Sequence, residues 1–217
     1  MKHIAFIPAR LGSKGLKYKN RKLFNYTALF LNKIKWIDEV VVSSDDPYIK
    51  KLALKNNFLF HKRIKKLSGP KSSIKSVLED FVAKSNFSKE FIIWLFYLTI
   101  PIRDLKDFNK AKKIIERKNN DSLISLIPAM THPFSCWYLK NNKMCQFVTN
   151  NEYRRQDLPS AYSHHHYLCS FKIKVLPRLN NELIYHNTYP IIINKKSNKL
   201  LEIDILKDFI LFKDLKK

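Results

Sequence analysis

Glycine is scarce in this chain, with three in 217 residues, and two of them, Gly12 and Gly15, stand in one basic loop. Their spacing excludes the G-x-x-x-x-G-K-[S/T] phosphate loop and the G-x-G-x-x-G turn of dinucleotide folds. Cysteine is equally sparse. Cys136, Cys145 and Cys169 form an odd set without metal-ligand spacing, which points to reduced thiols rather than disulfides or zinc. No apolar run reaches the roughly 18 residues of a membrane span, and the N-terminus lacks the small-residue cleavage site of a signal peptide, so a cytoplasmic protein is expected.

Acidic residues are also few. Only 18 Asp and Glu stand against 41 Lys and Arg, a net charge of +23. Such a field suits polyanions, and a basic polyanion-binding module is one open reading. Against it, lysine is scattered through every segment beside abundant Asn and Ile, and no aromatic-basic nucleic-acid motif occurs, so neither a specific nucleic-acid partner nor a membrane is expected. Acidic small molecules would still be drawn in. The length and the 45% hydrophobic content suit one core, and a single domain over residues 1–217 with an insertion at about 129–170 is expected.

The first segment, Lys2 to Pro8, is nearly all apolar and reads as a strand buried on both faces of a parallel sheet. It runs into Gly12-Ser13-Lys14-Gly15, around which Arg10, Lys14, Lys17 and Lys19 gather positive charge. Glycine lets the backbone turn tightly and present its N–H groups, so the loop reads as an anion cradle, with a helix expected from about Ala28 to Ile34. Strands follow at 40–43 and 58–60, with a helix start at Asp45-Asp46-Pro47 between them. Ser72 or Ser73 can cap a helix over 74–84, a central strand fits 91–96, a helix fits 105–116 and a strand 122–127. Alternation of strand and helix predicts an open α/β sheet. Regularity then falls away until Leu201.

At the loop the chain resembles the acylneuraminate cytidylyltransferases, which activate sialic acids and related keto acids as CMP-sugars. Ala9-Arg10, Ser13-Lys14 and Lys19-Asn20 meet that family's opening pattern in full. The resemblance implies a three-layer, Rossmann-like nucleotide-diphospho-sugar transferase fold with a mainly parallel sheet. It also implies a CTP site in which Arg10, Ser13 and Lys14 face the triphosphate, Asn20 lies near the base or ribose, and Ala9, Gly12, Ser44 and Asp45 complete the nucleotide pocket. The stretch Val42-Ser43-Ser44-Asp45-Asp46 matches the family's Val-Ser-Thr-Asp-Asp, although a capped helix start explains it equally well.

Three later blocks fit the same family. Thr99-Ile100-Pro101-Ile102-Arg103 stands where it has Thr-Ser-Pro-Leu-Arg, beyond the central strand, which would make Arg103 and Thr99 substrate-facing. Here Tyr97-Leu98 replaces the family's Gln-Pro. Arg154-Arg155-Gln156-Asp157-Leu158-Pro159 matches Arg-Arg-Gln-Asp-Leu-Pro, and paired guanidinium groups suit a sugar carboxylate, though a solvated turn with an Arg-Asp ion pair is the other reading. The resemblance implies a homodimer in which this region of one subunit reaches the other's site. His165-His166-Tyr167 then replaces the family's Asn-Gly-Ala, so His165 is expected to donate to the sugar in its place. Consecutive residues of an extended segment alternate direction, so His164, His165 and His166 cannot all face one ion, and zinc is not expected.

The last block is Leu201-Glu202-Ile203-Asp204-Ile205 with Asp208, where the family has Ile-Asp-Ile-Asp and a downstream Asp. Alternation puts Glu202 and Asp204 on one face, as two carboxylates sharing Mg²⁺, or Mn²⁺ in its place, would require, while an edge strand with exposed acids is the plainer alternative. The expected reaction joins CTP and a 2-keto sugar acid, with Arg10, Lys14 and Asp204 catalytic and with Tyr97, Thr99, Arg103, Arg154, Arg155, Gln156 and His165 around the sugar. A degenerate, non-catalytic binder remains the alternative within the family.

Overall fold

The computed structural model describes residues 1–12, 15–152 and 154–216, without the side chains of Arg155 and Ser197. Strand β1 (His3–Pro8) leads through the basic loop into helix α1 (Lys19–Leu31). The helix starts well before Ala28. Its charged first turn looks like loop in sequence, but Leu23, Phe24, Thr27, Ala28, Phe30 and Leu31 recur at helical spacing and are buried along one face. Next come β2 (Glu39–Ser44), α2 (Pro47–Lys55), β3 (Leu59–Lys62) and α3 (Ile74–Ala83). As the sequence suggests, Asp46 caps α2, accepting from the Tyr48 N–H at 2.9 Å, and Ser73 rather than Ser72 caps α3 through the Ser76 N–H at 3.1 Å.

Strand β4 (Ile92–Leu95), α4 (Leu105–Ile115) and β5 (Ser122–Pro128) follow where they were expected. Beyond β5 the chain leaves the main sheet and forms the hairpin β6 (Trp137–Lys140) and β7 (Lys143–Gln146), a separate two-stranded sheet. It returns as β8 (Tyr162–Lys172), so the excursion spans 129–161 and the strand behind it belongs to the core. Strand β9 (Tyr189–Ile192) and helix α5 (Leu206–Asp214) close the chain. The main sheet runs β3-β2-β1-β4-β8-β5-β9, and every pairing is parallel except those of β8, which lies antiparallel between β4 and β5.

Both faces of the central part of this sheet are covered, which is why β1 and β4 read as nearly continuous apolar runs. Ala5 and Ile7 of β1 pack with α1, α2, α4 and α5 on one side, while Ile4 and Phe6 pack with α3 and the turn 173–178 on the other. The result is the three-layer, mainly parallel architecture expected. Among the described residues no helix is long and apolar enough to cross a membrane.

Candidate active site

A cleft of about 750 Å³ opens beyond the C-terminal ends of the parallel strands, where α/β sheets place their ligands. Arg10 enters it after β1, Arg63 after β3, and Tyr97 and Thr99 after β4. The loop after β1 is held from behind. The Ala9 N–H donates to the Ser43 carbonyl at 2.9 Å, the Ser44 hydroxyl to the Ala9 carbonyl at 2.5 Å, and the Leu11 N–H to Asp45 Oδ1 at 2.7 Å. Ala9 and Ser44 are fully buried, so these residues and Asp45 shape the cradle from outside the cleft. Asn20 lines the cleft and donates its amide to the Arg10 carbonyl at 2.8 Å. Gly12 sits at φ +87°, where a side chain would be strained. Ser13 and Lys14 lie outside the described residues.

Gly15 explains itself through a close approach. A Cβ there would collide with the backbone carbonyl of Asp204, so only glycine lets the basic loop lie against the acidic segment near the C-terminus. That segment, residues 201–204, pairs in no strand, yet it keeps the expected alternation, with Ile203 buried and its N–H donated to the Thr99 carbonyl at 2.8 Å. Glu202 and Asp204 point outward on either side of it. The Thr99 hydroxyl donates to Glu202 Oε1 at 3.2 Å, and the Lys19 ammonium meets Asp204 Oδ1 at 2.6 Å. Desolvation by surrounding protein, then the Asp204 charge, raise the Glu202 pKa above the ordinary carboxylate value. Asp208 is used otherwise, accepting from the Asp204 and Ile205 N–H groups at 2.9 and 3.0 Å as α5 begins.

The first turn of α1 carries Lys19, Arg21 and Lys22 and no acid, an unfavourable charge for the positive end of a helix dipole. Two of these charges find carboxylates: Lys19 takes Asp204, and Arg21 takes Asp46 at 2.7 and 2.9 Å. The anion cradle is therefore built from loop and helix start together.

Arg63 belongs to this site although sequence reasoning missed it. It is 6% exposed, donates from Nε to the Ser43 hydroxyl at 2.9 Å, and leaves one buried Nη with no partner among the described residues. Burial lowers its pKa to about 10. The available signal was positional, an arginine one residue past a parallel strand.

Tyr97 and Thr99 line the cleft, whereas Leu98 and Ile100 turn into the core, so two of the departures from the family pattern are packing positions. Arg103 is not brought to the cleft. It bonds the Thr27 hydroxyl at 3.1 Å and the Tyr97 carbonyl at 2.5 Å, lies 5.3 Å from the Phe96 ring centre, and has its pKa lowered to about 9 by burial. Its open side faces a second cavity, of about 580 Å³, shared with Lys33 and Lys195. In that position it ties the 97–103 segment to α1. His165 likewise turns aside, its Nδ1 accepting from the Tyr167 N–H at 3.1 Å, while burial lowers its pKa. Arg154 and Gln156 lie at an exposed turn of the excursion, where Arg154 pairs with Asp157 at 3.5 Å, and neither lines the cleft of its own chain. The Arg155 side chain lies outside the described residues.

The arrangement can bind a phosphorylated anion at one end and hold carboxylates opposite it. A family model described as cytidylyltransferase matches residues 4–213. The chain is 28% identical over 214 residues to post-translational flagellin modification protein B of Campylobacter coli, covering 94% of this chain and 90% of that one. It is 27% identical over 172 residues to an N-acylneuraminate cytidylyltransferase of Streptococcus agalactiae serotype III, covering 75% of this chain and 41% of that protein. In fold it is similar to a CMP:2-keto-3-deoxy-manno-octonic acid synthetase complexed with CTP, with TM-score 0.70, 13% identity and coverage of 100% and 98%. A 4-diphosphocytidyl-2C-methyl-D-erythritol synthase of Anaerococcus prevotii superposes with TM-score 0.63, 13% identity and coverage of 100% and 96%. With a match running from β1 into α5 and a nucleotide-type cleft beyond the parallel strands, the chain belongs to the cytidylyltransferase family.

Proposed function

We propose that the protein transfers CMP from CTP to the anomeric hydroxyl of a sialic-acid-like 2-keto sugar acid, releasing pyrophosphate. The observation that carries this reading is the contact at Gly15, which lays the basic loop against Asp204 in one cleft. A triphosphate needs clustered cations and backbone donors, supplied here by Arg10, Lys19, the loop and the start of α1. Lys14 and Ser13, in the same loop, are assigned to the triphosphate on the family pattern. The guanidinium of Arg63, which lines the same cleft, suits the acceptor's carboxylate or a phosphate oxygen. The name of the acylneuraminate relative favours an acidic sugar over the methylerythritol compound named for the more distant fold neighbour.

Glu202 and Asp204 offer hard carboxylate oxygens beside the cradle, a donor set that fits Mg²⁺, with Mn²⁺ as a substitute. When bound, such an ion supplies charge neutralisation for the departing pyrophosphate. The chain's own contribution is positional: Arg10 and Lys19 fix the phosphates, and Thr99 orients Glu202.

A homodimer completes the proposal. A lone two-stranded hairpin is marginal in water, and β6–β7 exposes Trp137, Leu139 and Met144, with Phe147 beside it. A second copy would cover them and bring Arg154, Arg155 and Gln156 toward its neighbour's cleft. The test is direct. Purified protein given CTP, Mg²⁺ and a panel of sialic, legionaminic, pseudaminic and octulosonic acids should release pyrophosphate with one of them. CTP binding without release under every pairing would overturn the transfer.

A further inference from the structure

Strand β8 carries a register shift. Ile124 of β5 pairs with Cys169, yet its neighbour Ser125 pairs with His165, so residues 166–168 bulge out of the ladder. Ser125 plugs the bulge, its hydroxyl bonding the His165 carbonyl and accepting from the Leu168 N–H at 2.9 Å. Bulges of this kind re-aim side chains. Here His165 turns back to accept from the Tyr167 N–H, while His164 and His166 come together, their ring centres 5.4 Å apart. Only the alternation of three consecutive residues forbade a shared ion, and that leaves the outer two available.

A third group stands opposite. Glu182 sits in a turn built for it: the Asn180 side chain accepts from the Glu182 and Ile184 N–H groups, both at 2.9 Å, and Leu183 between them is fully buried at φ +61°. Its carboxylate lies 3.3 Å from His164 Nε2, and its carbonyl 3.3 Å from His166 Nε2. One ligand atom from each of His164, His166 and Glu182 falls within 4.8 Å of the others. Donors at about 2.0–2.2 Å from one zinc ion stand roughly 3.0–3.5 Å apart, so the gap is small and two of the three residues are exposed enough to close it by rotation.

We propose that His164, His166 and Glu182 form a site for a late first-row divalent metal such as Zn²⁺, distinct from the Glu202 and Asp204 pair. Two imidazoles and a carboxylate are a borderline donor set that prefers zinc or cobalt to magnesium, and three protein ligands leave a coordination position for water or substrate. The ion would clamp β8 to the turn at 180–184. Glu182 also lines the main cleft, and Tyr97, another lining residue, meets the His166 ring edge-on at 5.1 Å, so the clamp stands at the cleft's border.

The test reads binding directly and so does not depend on whether the proposed transfer occurs. Chelator-stripped protein, with saturating Mg²⁺ present, is titrated with Zn²⁺ by calorimetry and with Co²⁺ by visible absorption. One equivalent should bind with micromolar or tighter Kd, give the intense bands of low-coordinate cobalt, and raise the melting temperature. His164→Gln and Glu182→Gln change exposed residues and should keep the fold, checked by circular dichroism, while weakening Zn²⁺ at least tenfold; Asp204→Asn should not. Absence of tight Zn²⁺ binding, or binding unchanged in both glutamine variants, would overturn the site.

Discussion

The seven-stranded sheet and the excursion between β5 and β8 obey opposite rules. Every residue of β4 is buried, whereas every residue of β6 is exposed, Leu139 at 74%. The sheet closes its own core with helices on both faces. The excursion exposes comparable side chains that no other element among the described residues covers, although both regions are rich in aromatic and aliphatic residues. Apolar content therefore marks a core in one region and an outward-facing surface in the other, and only the presence of a second layer tells them apart.

Breaking the sheet should have the largest effect. Phe6 is fully buried and packs its ring 5.1 Å from Phe81, so Phe6→Ala should cost about 3–5 kcal/mol in urea unfolding. A loss below about 1 kcal/mol would mean this core is loosely packed. The cleft belongs to the same region. On the proposed function, Asp204→Asn keeps shape but removes charge, and turnover should fall at least about a hundredfold with partial recovery at high Mg²⁺ or with Mn²⁺. Wild-type metal dependence would reduce Asp204 to a partner of Lys19. Gly15→Ala forces the loop and the acidic segment apart, so CTP binding should weaken about tenfold and stability should drop by about 1–3 kcal/mol.

The excursion should answer differently. On the proposed homodimer, Leu139→Ser with Phe147→Ser removes exposed apolar surface, so the unfolding free energy of the monomer should change by less than about 0.5 kcal/mol per site while sedimentation shows a dimer replaced by monomer. An unchanged dimer would move the interface elsewhere.

The smallest effect concerns acid. His3 is buried in the sheet; its Nδ1 accepts from the Trp94 indole N–H at 3.0 Å and its Nε2 faces Glu116 Oε1 at 3.1 Å. Desolvation lowers its pKa and outweighs the opposing Glu116 bond. A second ring proton would point at the indole N–H. The unfolded chain takes that proton near pH 6.5 and the folded chain only at lower pH, so this contribution to stability is complete above about 6.5 and is lost as pH falls below it. Between pH 7.5 and 5.5, His3→Gln should lose less stability than wild type by about 1 kcal/mol or less; equal slopes would clear His3.

Much of the sheet was legible because a strand buried on both faces must be largely apolar, as β4 is throughout and as β1, β2 and β5 are in the runs 4–7, 40–42 and 123–124. The caps at Asp46 and Ser73 were legible for a related reason, since a helix start needs a local acceptor that sequence displays. Helix α1 was misplaced at its N-terminus because its first turn is basic, against the usual preference for acids there; Lys19 lines the cleft while Arg21 pairs with Asp46. The pairing of β8, against the trend of its sheet, depends on contacts distant in sequence and left no local trace.

The same division holds for the site. By itself the sequence determined the basic loop, the two glycines that permit it and the alternation that sets Glu202 and Asp204 apart from Ile203, because loop conformation and strand periodicity are local properties of the backbone. Only the tertiary structure decided that Gly15 touches Asp204, that Arg63 enters the cleft while Arg103 turns away from it toward a second cavity, and that the bulge sends His165 one way and its two neighbours another. Those outcomes depend on which face of each segment meets another layer, and that is settled by packing between elements far apart in the chain.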